Sequence, residues 1–169
     1  MAIRPARPED AADLARVLVE ARRSAYRGFV PVAILDEMEV PQRKVRWRLE
    51  LQQKSAETIV MELEGRIHGF VTVWRCPDED VSAEEDVGGI RRLYVAPGQW
   101  RGGIGASLSR HGEHVLHERG YRRALLWVLA ANEPARRFYE AMGYRLDGTS
   151  RMHGGGIPLE VLRYAKDLG

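Results

Sequence analysis

The sequence has a single cysteine, Cys76, among 169 residues. One thiol can close no internal disulfide and build no cysteine metal site, and a lone thiol suits a reducing cytoplasm. Net charge is also scarce: the formal balance is +2, with Lys and Arg scattered rather than gathered in a stripe, which gives nucleic acid no footprint. No apolar run approaches the length that spans a bilayer. The stretch Met1–Asp10 lacks the apolar core of a signal peptide. There is no His/Cys cluster with metal-ligand spacing, no internal repeat and no low-complexity linker. These absences predict a soluble cytoplasmic protein with no metal, no membrane partner and no nucleic-acid partner. With 44% hydrophobic and 30% charged residues, disorder is excluded on composition. The length suits one domain over residues 1–169.

What is present alternates between two periodicities. Met1–Pro5 reads as a short strand. Pro8 then opens a helix, with Glu9 and Asp10 in its first turn, where the helix dipole favours carboxylates. Ala11, Leu14, Leu18, Ala21 and Ala25 form one apolar stripe. Pro31–Met38 predicts a second short helix. Pro41 starts a third, with Val45, Leu49 and Gln52 along one side. Strands follow at Thr58–Leu63 and Arg66–Trp74, joined by a Glu64-Gly65 turn. An acidic loop spans Asp78–Asp86, and another strand runs from Gly89 to Val95. A helix covers 102–119 and ends at Gly120. Ala124–Leu129 is nearly continuous apolar sequence, as in a strand covered on both faces. Glu133–Met142 is the last helix, and two strands flank the Gly154-Gly155-Gly156 turn. This order predicts a mixed α/β sheet with helices on both faces. The strand–helix–strand unit from Ile90 to Leu129 should make a parallel pair with a right-handed crossover.

The chemistry-bearing feature is Arg101-Gly102-Gly103-Ile104-Gly105, placed between a strand end and a helix start. The first N–H groups of a helix have no internal partner and carry partial positive charge, so they can hold an anion. Glycines there let a phosphate approach the backbone. Two readings stand on spacing alone, an anion site or merely a tight turn. The run departs from the dinucleotide fingerprint, since Leu108 stands where the third glycine would be and no acidic residue ends the next strand. It also lacks the Gly-Lys-Ser/Thr of a P-loop.

Taken together with its flanks, the run resembles the coenzyme motif of the GNAT superfamily of N-acetyltransferases. Ile3-Arg4-Pro5 with Glu9-Asp10 is similar to the family's opening, and Ala25-Tyr26-Arg27-Gly28-Phe29-Val30-Pro31 to a substrate-side segment. Leu93-Tyr94-Val95-Ala96-Pro97 with Gly103-Ile104-Gly105 resembles the coenzyme motif. Leu126–Leu129 with Asn132, Ala135–Glu140 and Gly143-Tyr144 resembles the second conserved block.

The resemblance implies a mixed, mostly antiparallel twisted sheet with a central parallel pair splayed past Val95 and Leu129. It implies acetyl-CoA as co-substrate. The pantetheine arm would pair with Leu93, Tyr94 and Val95, and the pyrophosphate would sit on amides of Arg101, Gly102, Gly103, Ile104, Gly105 and Ala106. Asn132 would bond the arm as well as cap its helix. Tyr26 and Phe29 would border the acceptor, arriving from the opposite side of the sheet near the N-terminal helices. A small-molecule or peptide amine would attack the thioester directly, and a homodimer is one assembly that relatives adopt. The sequence departs from the pattern twice. Trp100 stands in the usual Gln/Arg slot, so pyrophosphate binding would rest on backbone amides. Gly89 stands where many relatives carry a glutamate base.

Tyr139 has two readings. On spacing, it joins Ala135, Phe138 and Met142 on an apolar helix face and is a core residue. On the resemblance, it is the general acid that protonates the leaving thiolate. The base is open among Asp86, Glu85, Glu84, Tyr26 and a water chain. The six carboxylates of Asp78–Asp86 are either a solvated loop or an attractor for a cationic amine. Arg101, Arg136 or Arg137 could meet the adenosine 3′-phosphate. Two competing classes remain beside the enzyme, a non-catalytic acyl-CoA-binding sensor and an unrelated nucleotide-binding α/β protein.

Overall fold

The computed structural model describes residues 1–36, 39–81, 86–153 and 159–169, apart from the Asp36 side chain. The elements are β1 (Ala2–Pro5), α1 (Ala11–Ala25), α2 (Val32–Asp36), α3 (Val40–Glu50), β2 (Ala56–Leu63), β3 (Arg66–Arg75), β4 (Val87–Val95), α4 (Ile104–Glu118), β5 (Arg123–Leu129), α5 (Glu133–Ala141), β6 (Arg145–His153) and β7 (Leu159–Asp167). Their order follows the periodicities of the sequence. The strands form a seven-stranded, mostly antiparallel sheet in the order β1-β2-β3-β4-β5-β7-β6, flanked by helices and with one parallel pair. That pair is β4–β5, with Val87, Gly88 and Gly89 opposite Arg123, Ala124 and Leu125. Residues 37–38 of the expected second helix and the triple-glycine turn lie outside the described residues.

The chain divides into two compact units. The first comprises Met1–Val73 and Arg92–Gly112. Its core gathers Leu14, Val17 and Leu18 of α1, Trp47 of α3, and Val60 and Phe70 of the strands, all buried. Alternation along β3 sorts its two faces. A Cβ at Gly69 would meet Ile104 and Leu108, and one at Gly112 would meet Val71 and Val73, so these β3 positions face α4. Phe70 points the other way, edge-on to Trp47 of α3, with ring centroids 5.1 Å apart. The start of α1 is fixed by Asp10, whose carboxylate accepts from the Arg7 backbone at 2.7 Å and from Arg4. A 3₁₀ turn at Pro8–Asp10 precedes the helix.

The stripe expected on α3 is on the wrong side. Val45 and Leu49 are each 60% exposed, and Trp47 is the residue α3 buries. Trp47 takes the facing side because it meets Phe70 edge-on in the core, which turns Val45 and Leu49 to solvent.

The second unit comprises Trp74–Arg91 and Glu113–Gly169. Here β5 pairs antiparallel with β7 from Arg123↔Asp167 to Leu129↔Val161, and β6 pairs along the other edge of β7. The expected acidic loop is only partly a solvated loop. Asp78 is buried and accepts from Trp127 Nε1 at 2.9 Å. Arg163, 4% exposed, bonds Asp78, Asp80 and Asp147. A buried guanidinium needs such partners, because an unpaired charge out of water is costly.

Candidate active site

In the first unit, β4 leads through a 3₁₀ turn at Pro97–Gln99 into the glycine-rich run and α4. Arg101 has φ 65° and Gly103 φ 81°, both left-handed. Such alternation turns consecutive N–H groups toward one concavity. The first helical bond here runs from Ser107 N to Gly103 O at 3.0 Å. Among the described residues, the N–H groups of Arg101 to Ala106 therefore donate to no backbone carbonyl, as expected of a helix start. The helix proper begins at Ile104 rather than at 102. Trp100, the residue in the slot usually held by Gln or Arg, is half-exposed, and its indole Nε1 donates to the Val95 carbonyl at 2.7 Å. It ties the end of β4 to the glycine run.

The side chain of Tyr94 points away from α4, toward α1. Arg22 Nε donates to Tyr94 Oη at 3.0 Å, and the Tyr26 and Tyr94 hydroxyls lie 3.2 Å apart. Burial pushes the Tyr94 phenol up, but the Arg22 guanidinium and the Tyr26 hydrogen bond outweigh it and hold the phenol below the ordinary tyrosine range. Phe29 packs on Tyr26 with centroids 5.6 Å apart, and Gly28, at φ 99°, turns the chain between them. Arg92, two residues before Tyr94 and on the same strand face, bonds Glu50 of α3 and lies 5.0 Å from the Trp47 ring centre.

In the second unit, Asn132 caps α5 through a bond from Ala135 N at 3.3 Å, so its capping role is met. Tyr139 is half-buried rather than core, with Phe138 and Tyr144 edge-on at 5.1 and 5.7 Å. Tyr164 anchors α5 to β7, donating to Glu140 at 2.8 Å and accepting from Arg136 Nε at 3.1 Å. Arg136 also reaches the Ala130 carbonyl, and Arg137 pairs with Glu133. Arg136 thus has a structural duty that the sequence did not signal. Tyr144 is fully buried, and its hydroxyl finds no hydrogen-bond partner of good geometry among the described residues. Burial, with the Glu113 charge and Tyr139 beside it, pushes this phenol far above its usual range.

The space at the empty base slot is tight. A Cβ at Gly89 would lie 3.0 Å from Trp74 Nε1 and 3.3 Å from the Leu125 carbonyl. Arg91 stacks on Trp74 at 4.7 Å. Of the other base candidates, Asp86 is exposed and uses its carbonyl to receive Arg122 N at 2.7 Å. Glu84 and Glu85 lie outside the described residues. Among the described residues no group of three His, Cys, Asp or Glu could hold a metal, and no helix is long and apolar enough to cross a membrane.

Residues 18–144 match the Acetyltransferase (GNAT) family. An uncharacterised N-acetyltransferase of Archaeoglobus fulgidus is 34% identical over 86% of this chain and 93% of its own length. The phosphinothricin N-acetyltransferase of Streptomyces viridochromogenes is 27% identical over 88% of this chain and 78% of its own. Among solved structures, the PaiA N-acetyltransferase of Thermoplasma acidophilum, crystallised with coenzyme A, superposes with a TM-score of 0.76. It is 18% identical, over 96% of this chain and 98% of its own. The strand–turn–helix built around Arg101–Gly105 and the matches across most of the chain agree: this protein belongs to the acetyltransferase (GNAT) family.

Proposed function

We propose that the chain moves an acetyl group from acetyl-CoA to an amine by direct attack, in one domain that works without a metal. The observation that carries this reading is the run of amides from Arg101 to Ala106, which donate to no backbone carbonyl among the described residues and sit at the positive end of α4. They hold the coenzyme's pyrophosphate. The backbone of Leu93, Tyr94 and Val95 takes the pantetheine arm, helped by the Asn132 side chain. Tyr26 and Phe29 border a small-molecule or peptide amine.

The reaction balances without a covalent enzyme intermediate. The neutral amine nitrogen bonds the thioester carbonyl carbon, the carbon–sulfur bond breaks, and the amine proton leaves to water or to a base. Tyr139 protonates the departing thiolate and recovers its own proton from solvent. A positioned acid of this kind is worth about 10²–10⁴-fold. The test is thiol release from acetyl-CoA across a panel of amines, repeated with Tyr139→Phe. Release that needs an amine supports the reading, and an unchanged turnover number in the variant removes Tyr139 from it.

A second reading keeps the coenzyme and drops the chemistry, as an acyl-CoA-binding sensor. The observation in its favour is Gly89, where Trp74 fills the room a glutamate base would need. Tight acetyl-CoA binding with no thiol release for any amine would establish it.

A further inference from the structure

We infer that the acceptor is an amine that also carries an oxyanion, a carboxylate or a phosphonate, and that Arg22, Arg43 and Arg92 receive it. This deepens the acetyltransferase reading above and rests on it.

Three arginines of the first unit are tied to one region from three elements: Arg22 bonds the Tyr94 hydroxyl, Arg92 on the same strand face bonds Glu50, and Arg43 lies one helical turn before Arg46, which also pairs with Glu50. Arg22 comes from α1, Arg43 from α3 and Arg92 from β4, and all three are half-buried. Arg46, exposed on α3, adds a fourth positive charge. Burial holds Arg43 below the usual arginine range, and Arg22, Arg46 and Arg92 act in the same direction, with Glu50 opposing them. Glu50 is already engaged, by Arg92 Nη1 at 2.5 Å and Arg46 Nε at 3.5 Å. Neither Arg22 nor Arg43 forms an ion pair with a carboxylate among the described residues, and Arg22 Nε donates instead to the Tyr94 phenol. Among the described residues, four cations therefore face one carboxylate and the Tyr94 phenol.

Half-buried positive charge left without a counter-ion is costly to hold, and an arginine fork fits an oxyanion by two parallel bonds. The coenzyme's phosphates do not account for the excess. Their amides belong to α4, which packs on Gly69 and Gly112, whereas Arg92 and Tyr94 point to the other face, against Glu50, Trp47, Arg22 and Tyr26. That face carries Tyr26 and Phe29, the residues expected beside the acceptor. The cluster repels a polyamine or a lysine side chain and attracts an amine with its own negative group.

The experiment compares thiol release from acetyl-CoA with matched amines at low salt: glycine against glycinamide, L-glutamate against L-glutamine amide, 2-aminoethylphosphonate against ethanolamine, and putrescine. The inference expects kcat/KM at least about tenfold higher for the oxyanionic member of a pair, the size of a lost charged hydrogen bond. The carboxylate and phosphonate arms tell which oxyanion fits. Arg43→Glu, at a half-exposed position, should reverse the order toward putrescine. Equal rates within pairs, or preference for the amide or for putrescine, overturns the inference and leaves the acetyltransferase reading standing. No release with any amine overturns that reading instead. Calorimetric titration of the coenzyme A complex with glutamate and glutamine amide then decides the inference separately, equal affinity refuting it and tighter glutamate binding supporting it.

Discussion

The Trp100 indole donates its N–H to the Val95 carbonyl at 2.7 Å, bridging the last residue of β4 and the turn that opens the glycine run. The bond gives a physical role to a residue that departs from the expected Gln/Arg. The bond ties the end of β4 to the glycine run, and under the proposed function Trp100 would support the amides of 101–106 without touching phosphate itself. Trp100→Phe keeps an aromatic side chain but removes the donor together with the five-membered ring, and the lost hydrogen bond is worth about 0.5–1.5 kcal/mol. The KM for acetyl-CoA should rise roughly two- to tenfold with kcat little changed. An unchanged KM would make the bond incidental.

Tyr139 stands half-exposed between two rings, so Tyr139→Phe removes a hydroxyl without leaving a cavity. Turnover should fall by about 10²–10⁴, while the affinity for coenzyme A measured by calorimetry stays as it was. A loss that appears in KM alone would point to packing rather than proton transfer.

Gly89 is held by Trp74. Placing a glutamate there, as Gly89→Glu, pushes on Trp74 and should cost roughly 1–3 kcal/mol as overpacking, lowering the Tm by several degrees. Adding Trp74→Gly should return part of that loss, since the two sites share one space. If Gly89→Glu alone melts like the parent, the steric account of the empty slot is wrong.

The order of strands and helices was readable because periods of 2 and 3.6 dominate each segment, and Pro8, Gly120 and Gly143 punctuate them. The turn into α4 was readable from its glycines, and the structure puts Arg101 and Gly103 in the left-handed region there; spacing alone leaves the anion site and a tight turn equally open. Other features depend on partners far away in sequence. The buried face of α3 turned on Trp47 meeting Phe70, a contact that helical spacing cannot choose over Val45 and Leu49. The loop aspartates were judged by their local charge, whereas Arg163, the residue that binds them, lies on β7. Tyr94 was chosen for its backbone, and nothing in its neighbourhood signalled that Arg22 and Tyr26 would meet its hydroxyl.

Asp10 links stability to pH. Burial alone would raise its pKa, but the hydrogen bonds from Arg4 and from the Arg7 backbone prevail and hold it below the ordinary aspartate value. A carboxylate depressed in the folded state contributes fully above its unfolded pKa of about 3.9. That contribution is lost as pH falls through the lower folded value. Asp10→Asn should therefore reduce Tm at neutral pH and narrow its gap to the parent below about pH 4. A gap that stays constant with pH would mean the carboxylate's charge is not what stabilises the start of α1.

Asp78 and Asp80 both accept hydrogen bonds from Arg163. Arg163→Met removes the guanidinium and leaves the buried Asp78 carboxylate with the more distant Arg151, at 3.6 Å, as its remaining ion-pair partner among the described residues, beside the Trp127 N–H. Breaking one side of a buried pair costs about 3–5 kcal/mol, so the variant should unfold well below the parent in a urea titration. Asp80→Asn, at the exposed end of the network, should cost much less. Neither Asp80→Asn nor its combination with Glu84→Gln should raise the KM of a cationic amine at low salt. A rise would restore the loop as an attractor for positive charge and would count against the arginine cluster as the element that selects the acceptor.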